Sequence, residues 1–98
     1  MASTPLSDIE IQRHLGRIPG WARKGGTLVK TFHFATFPDG IAFLARVAEV
    51  AEAQQHHPDI DIRYTRVHFQ LSTHDAGGIT EADFVLAEGI ERLAGVNA

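Results

Sequence analysis

The chain has 98 residues, nine Lys and Arg against twelve Asp and Glu for a formal charge of -3, and no cysteine. Its length allows one domain, spanning residues 1–98, and the missing thiols exclude disulfides, thiolate nucleophiles and thiolate-bound zinc or iron–sulfur centres. The acidic balance, with Arg23-Lys24 as the longest basic cluster, disfavours a broad nucleic-acid surface, and no apolar run approaches a membrane span. No basic patch precedes an apolar run at the amino terminus, so a cytoplasmic location is expected.

The first predicted element is a helix opened by Ser7 as cap, with Glu10 placed to return the bond and Leu6 to staple onto Ile11. Ile11, Leu15 and Ile18 form its apolar stripe, and Pro19-Gly20 stops it. Trp21 to Lys24 and Leu28 to Phe34 flank Gly25-Gly26-Thr27 as a hairpin. In the second strand Leu28, Phe32 and Phe34 are expected to face the core, with Lys30 at its rim.

Thr36 and Asp39 are spaced as a second cap, and Pro38 suits a first helical turn. The helix is predicted from about Phe37 to about Gln55. Its expected inner face is Phe37, Ile41, Leu44, Ala48 and Ala51, flanked by Ala45 and Val47, with Phe43 and Val50 further round. Gly40 counts there as a loss of up to about 1 kcal/mol relative to alanine.

After Pro58, Ile60, Ile62 and Tyr64 alternate with Asp59, Asp61 and Arg63. Beyond a turn at Thr65-Arg66, Val67, Phe69 and Leu71 alternate with His68, Gln70 and Ser72. These read as two adjacent strands of an antiparallel sheet with one face packed by helices. His74 to Gly78 reads as a loop, and Thr80 with Asp83 as the cap of a last helix carrying Phe84, Ala87, Ile90 and Leu93 or Ala94. The order α-β-β-α-β-β-α belongs to the two-layer α+β class.

Six histidines are the compositional oddity. His56-His57-Pro58 closes the second helix, where Glu52 shares a face with His56 if the last turn is regular. His74 follows the last strand, and it joins the pair if that strand returns toward the helix end. Three imidazoles there can divide acid and base work near neutral pH. Read singly, each residue has a plainer account. The histidine pair suits a helix end, Asp83 a cap, Tyr64 a core or rim aromatic, and His14, His33 and His68 solvated or interface positions. Zinc binding by His56, His57 and His74 is disfavoured because adjacent helical side chains diverge, and the His-Glu-x-x-His helix motif is absent.

The pattern Glu52, His56-His57-Pro58, Tyr64, Val67, Leu71, Thr73-His74-Asp75, Gly78, Thr80 and Asp83 resembles the pterin-4a-carbinolamine dehydratase family. Gly20-Trp21, Phe32-His33-Phe34 and the helix from Phe37 to Ala51 extend the resemblance, so it runs from about Leu6 to Leu93. Two departures stand out: Thr65-Arg66 lacks the family's usual Asn, and Ile60 replaces an aromatic found in some relatives.

The resemblance implies a four-stranded antiparallel sheet with three helices on one face, assembled as a homodimer or homotetramer. It implies loss of water from 4a-hydroxytetrahydropterin to give quinonoid dihydropterin, with acid–base work at His56 and His74 and with His57 binding substrate and assisting. It does not divide the two transfers between the imidazoles. Glu52 and Asp83 would orient imidazoles or pterin donors, and Thr73 would edge the pocket. No metal and no redox cofactor is implied. A functional link to an aromatic amino acid hydroxylase is raised. A pterin-binding, dimerisation or regulatory protein of the same fold, without catalysis, is the alternative.

Overall fold

The computed structural model describes residues 4–97, with side chains described through residue 95. Among these residues the chain forms helix α1 (Asp8–Leu15), strands β1 (Ala22–Lys24) and β2 (Thr27–His33), helix α2 (Phe37–Gln54), strands β3 (Asp59–Arg63) and β4 (Arg66–Leu71), a 3-10 turn (His74–Ala76) and helix α3 (Glu81–Asn97). Helix α1 starts where its cap dictates: Ser7 Oγ accepts from the Glu10 amide, and Glu10 returns the bond to the Ser7 amide at 2.9 Å. The helix ends at Leu15, before Pro19, and Ile18 is buried from the turn that follows.

The sheet is antiparallel throughout, in the order β1-β2-β4-β3. Two hairpins therefore lie side by side, with β2 and β4 at the centre. The first turns through Gly25-Gly26, where Gly25 takes φ +60 and so favours a residue without Cβ. Leu28, Phe32, Val67, Phe69 and Leu71 are buried on one sheet face, while Thr31, His33, Asp61 and Gln70 are exposed on the other. Period-two alternation with one covered face is the reason.

Helices cover the apolar face. Phe43 of α2 packs its ring against Phe32, Phe34 and Phe69 at centroid distances of 5.4, 4.9 and 6.0 Å. The inner row of α2 is thus Gly40, Phe43, Val47 and Ala51, and Phe37, Ile41 and Ala48 are exposed instead. The expected inner face is corrected by a fraction of a turn. Gly40 sits against Val67, Ile62 and Phe34, so its place is a helix–sheet contact. Where α2 meets α3, a Cβ on Gly89 would lie 3.1 Å from Val50 Cγ1, so this glycine allows the close approach.

Three polar ties fasten the layers. Lys30 Nζ and Trp21 Nε1 both donate to Glu91 Oε1 of α3, the latter at 2.8 Å, which explains a lysine on the core-facing side of β2. Arg17 bonds Glu81 at 2.9 Å and also Glu88. His14 lies 2.8 Å from Glu81 and edge-on to Phe84, so this imidazole is half-buried between α1 and α3. The hydrogen bond from Arg17 holds the Glu81 carboxyl below its ordinary value, against a smaller opposing effect of burial.

The β3–β4 turn differs from the expectation. It comprises Tyr64-Thr65, with Arg66 already in β4, and Tyr64 takes φ +55 and is 87% exposed. A two-residue hairpin turn needs such a conformation, and it swings the aromatic off the core side.

Candidate active site

Antiparallel packing delivers three histidines to one end of the fold. Helix α2 spans about 27 Å at 1.5 Å per residue, and the β2 strand beneath it about 23 Å, so the helix runs out near where β2 begins. That is also where β4 finishes, because Leu71 pairs with Leu28. The end of α2 and the segment after β4 therefore meet, and a cleft of about 220 Å³ opens between them. Its lining includes His56 and His57 from one side and Thr73 and His74 from the other, with Gln55, Ser72 and Asp75 completing it.

The helix end is shaped by Gln55, whose φ of 51 and ψ of 41 are left-handed. Its amide reaches Glu52 O at 3.1 Å, and the His56 amide reaches back to Ala51 O at 3.0 Å, a Schellman-type closure. The chain reverses there, so the last turn is not regular and Glu52 does not share a face with His56. Instead His57 Nε2 lies 2.8 Å from Glu52 Oε2, on an exposed surface. Glu52 thus reaches the cleft only through His57.

His56 turns inward. Its Nε2 lies 2.5 Å from Asp83 Oδ1, with the imidazole 16% exposed and the carboxylate fully buried. The other oxygen, Asp83 Oδ2, accepts from the Thr80 amide and from Thr73 Oγ, each at 2.9 Å. Asp83 is therefore both the cap of α3 and the partner of His56, and the two readings of this residue coexist. Its place in the first helical turn suits a negative charge.

His74 is exposed at the start of the 3-10 turn, on a short excursion pinned at both ends. The Thr73 amide donates to Gly78 O at 3.0 Å, and the Gly77 amide, at φ +77, returns to Thr73 O at 3.1 Å. Gln55 and the hydroxyl of Thr80 were not singled out by sequence as shaping the site. Glutamine before His-His-Pro signals no left-handed cap, and Thr80, though part of the family pattern, carries no role there beyond a helix cap. Tyr64 is remote, in a separate groove of about 610 Å³ with Phe37, Ile62 and Arg63. A further cleft of about 550 Å³ lies by Phe32, His33 and Glu91, so size alone does not mark the histidine cleft. Among the described residues no three His, Asp or Glu side chains are grouped to hold a metal ion.

Residues 4–93 match the family model for pterin 4 alpha carbinolamine dehydratase. The chain belongs to this family. Membership places it among the pterin dehydratases, which are lyases. It is 52% identical to a provisionally named pterin-4-alpha-carbinolamine dehydratase of Roseiflexus sp. (strain RS-1), covering 93% of this chain and 98% of that one. Against its counterpart in Thermomicrobium roseum the identity is 54%, over 91% and 96% of the two chains. Among solved structures, a transcriptional coactivator/pterin dehydratase from Brucella melitensis superposes with a TM-score of 0.91 at 31% identity, covering 94% of this chain and all of that one. A pterin dehydratase-like protein described as a RuBisCO assembly factor in the alpha-carboxysome gives 0.63 at 30% identity, over 76% and 87%. No helix among the described residues is long and apolar enough to cross a membrane.

Proposed function

We propose that the chain dehydrates 4a-hydroxytetrahydropterin to quinonoid dihydropterin and water by histidine acid–base catalysis. The observation that carries this reading is the single cleft lined by His56, His57 and His74, with His56 seated on buried Asp83. The 4a-hydroxyl takes a proton, the C4a–O bond breaks, and the N5 electron pair forms the C4a–N5 double bond. The N5 proton then passes to a base. One water leaves and no electrons are exchanged, so the chemistry needs proton transfer and orientation and no redox cofactor.

His56 and His74, which both line the cleft, are the transfer groups in this reading, while His57, steadied by Glu52, binds the substrate and assists. Asp83 and Thr73 orient His56. A positioned imidazole is worth about 10²–10⁴-fold in rate. Residues 1–98 act as one such domain in the cytoplasm, supporting tetrahydropterin recycling beside an aromatic amino acid hydroxylase. Self-association as a homodimer or homotetramer is favoured by the open edge of β3 and by exposed Phe37, Ile41, Ile60 and Tyr64.

A second reading, a binding or regulatory protein without turnover, draws on the carboxysome relative of similar fold described as an assembly factor. Generating the 4a-hydroxy compound in situ separates the two. Acceleration over the spontaneous reaction, retained after exhaustive chelation, supports the dehydratase. No acceleration by folded protein leaves the binding reading.

A further inference from the structure

We infer that Thr80 is a positioning residue for His56, acting through Thr73 and Asp83 so that Nε2 carries the imidazole proton and Nδ1 is left as the acceptor. The inference deepens the dehydratase reading and rests on it for its kinetic arm.

The usual task of a threonine before a helix is to accept a first-turn amide with its hydroxyl. Thr80 does not do so. The Asp83 amide bonds the Thr80 backbone carbonyl at 3.1 Å, and the Thr80 hydroxyl lies 2.7 Å from Thr73 Oγ. Thr80 is fully buried, so its hydroxyl is committed to that contact without competition from water.

Proton counting then fixes every direction. As a carboxylate Asp83 offers acceptors alone. Thr73 has one hydroxyl proton, and it goes to Asp83 Oδ2 at 2.9 Å. Thr80 must therefore donate to Thr73. Asp83 Oδ1, in turn, requires a donor from His56, which puts the imidazole proton on Nε2. In neutral His56 the remaining nitrogen, Nδ1, is then the acceptor. Without the Thr80 hydroxyl, Thr73 Oγ loses its donor and can rotate away from Asp83, and the carboxylate that seats His56 is held by fewer bonds.

The test compares Thr80→Val, which keeps the shape and removes the hydroxyl, with Thr80→Ser, which keeps the hydroxyl. In 15N-histidine-labelled protein, wild-type neutral His56 should show a protonated Nε2 and a bare Nδ1. In Thr80→Val the two resonances should move toward each other as tautomers average, and kcat should fall about tenfold, the rate equivalent of one lost hydrogen bond, with KM little changed. Thr80→Ser should restore most of both. If Thr80→Val does not fold, Thr73→Val, outside α3, must give the same averaging. Wild-type His56 resonances in the valine variant, an unchanged kcat, or equal impairment in the serine variant would each overturn the proposal. If wild type itself shows no acceleration, the dehydratase reading fails, while the ring-nitrogen resonances still decide the tautomer.

Discussion

Asp83, in the first turn of α3, sets one carboxylate oxygen 2.5 Å from Nε2 of His56, just beyond the end of α2. The contact joins two elements that sequence separates by 27 positions, and it is closed off from solvent on the Asp83 side.

Asp83→Asn tests what that contact does. The amide oxygen can keep the bonds from Thr73 and from the Thr80 amide, which leaves the NH2 group facing His56. Nε2 must then accept, and the imidazole proton moves to Nδ1. Turnover should fall by about 10²–10⁴-fold in a folded protein. Circular dichroism and the in-situ dehydration assay check the two halves of this expectation.

Gln55 governs where both adjacent histidines project. A glycine relieves the left-handed backbone at φ 51, whereas valine resists it. Gln55→Gly should leave the melting temperature equal or higher, with a gain of up to about 1 kcal/mol set against the freer unfolded chain. Gln55→Val should destabilise by about 1–2 kcal/mol and lower turnover by displacing His56 and His57. Thermal melts and kcat measured on both variants decide this.

Glu81 couples stability to acid. Its folded carboxyl is held below the ordinary 4.5 first by the Arg17 hydrogen bond, so its stabilising contribution is fully present above about that pH. The contribution is lost as pH falls further, through the depressed folded value. The pair is half exposed, so Glu81→Gln should cost under about 1 kcal/mol at neutral pH. Chemical denaturation across pH 7 to about 3 should show wild type and variant converging at the acid end.

Much of the fold was legible because local chemistry dictates it. Ser7 and Glu10 are a cap by type and spacing, and alternation along β2 and β4 marks their buried faces. The inner face of α2 was not legible, since Phe37, Ile41, Phe43, Leu44 and Val47 surround the helix with apolar side chains. Only contact with Phe32 and Phe69 selects the row through Phe43. Tyr64 reads as the next residue of a strand, and its left-handed turn is a hairpin constraint set by pairing. At the site, the meeting of His56, His57 and His74 follows from strand and helix lengths. The partners do not: helical spacing gives Glu52 to His56, whereas the reversal at Gln55 gives it to His57 and frees His56 for Asp83.

The most direct measurement is the dehydration rate of 4a-hydroxytetrahydropterin generated in situ, compared among wild type, His56→Ala, His74→Ala and the double variant. Wild type should exceed the spontaneous rate, and each single variant should lose about 10²–10⁴-fold of that acceleration while its circular dichroism is unchanged. Because both imidazoles serve one reaction, the double variant should lose much less than the product of the single losses. Unchanged acceleration in folded His56→Ala and His74→Ala would contradict the account.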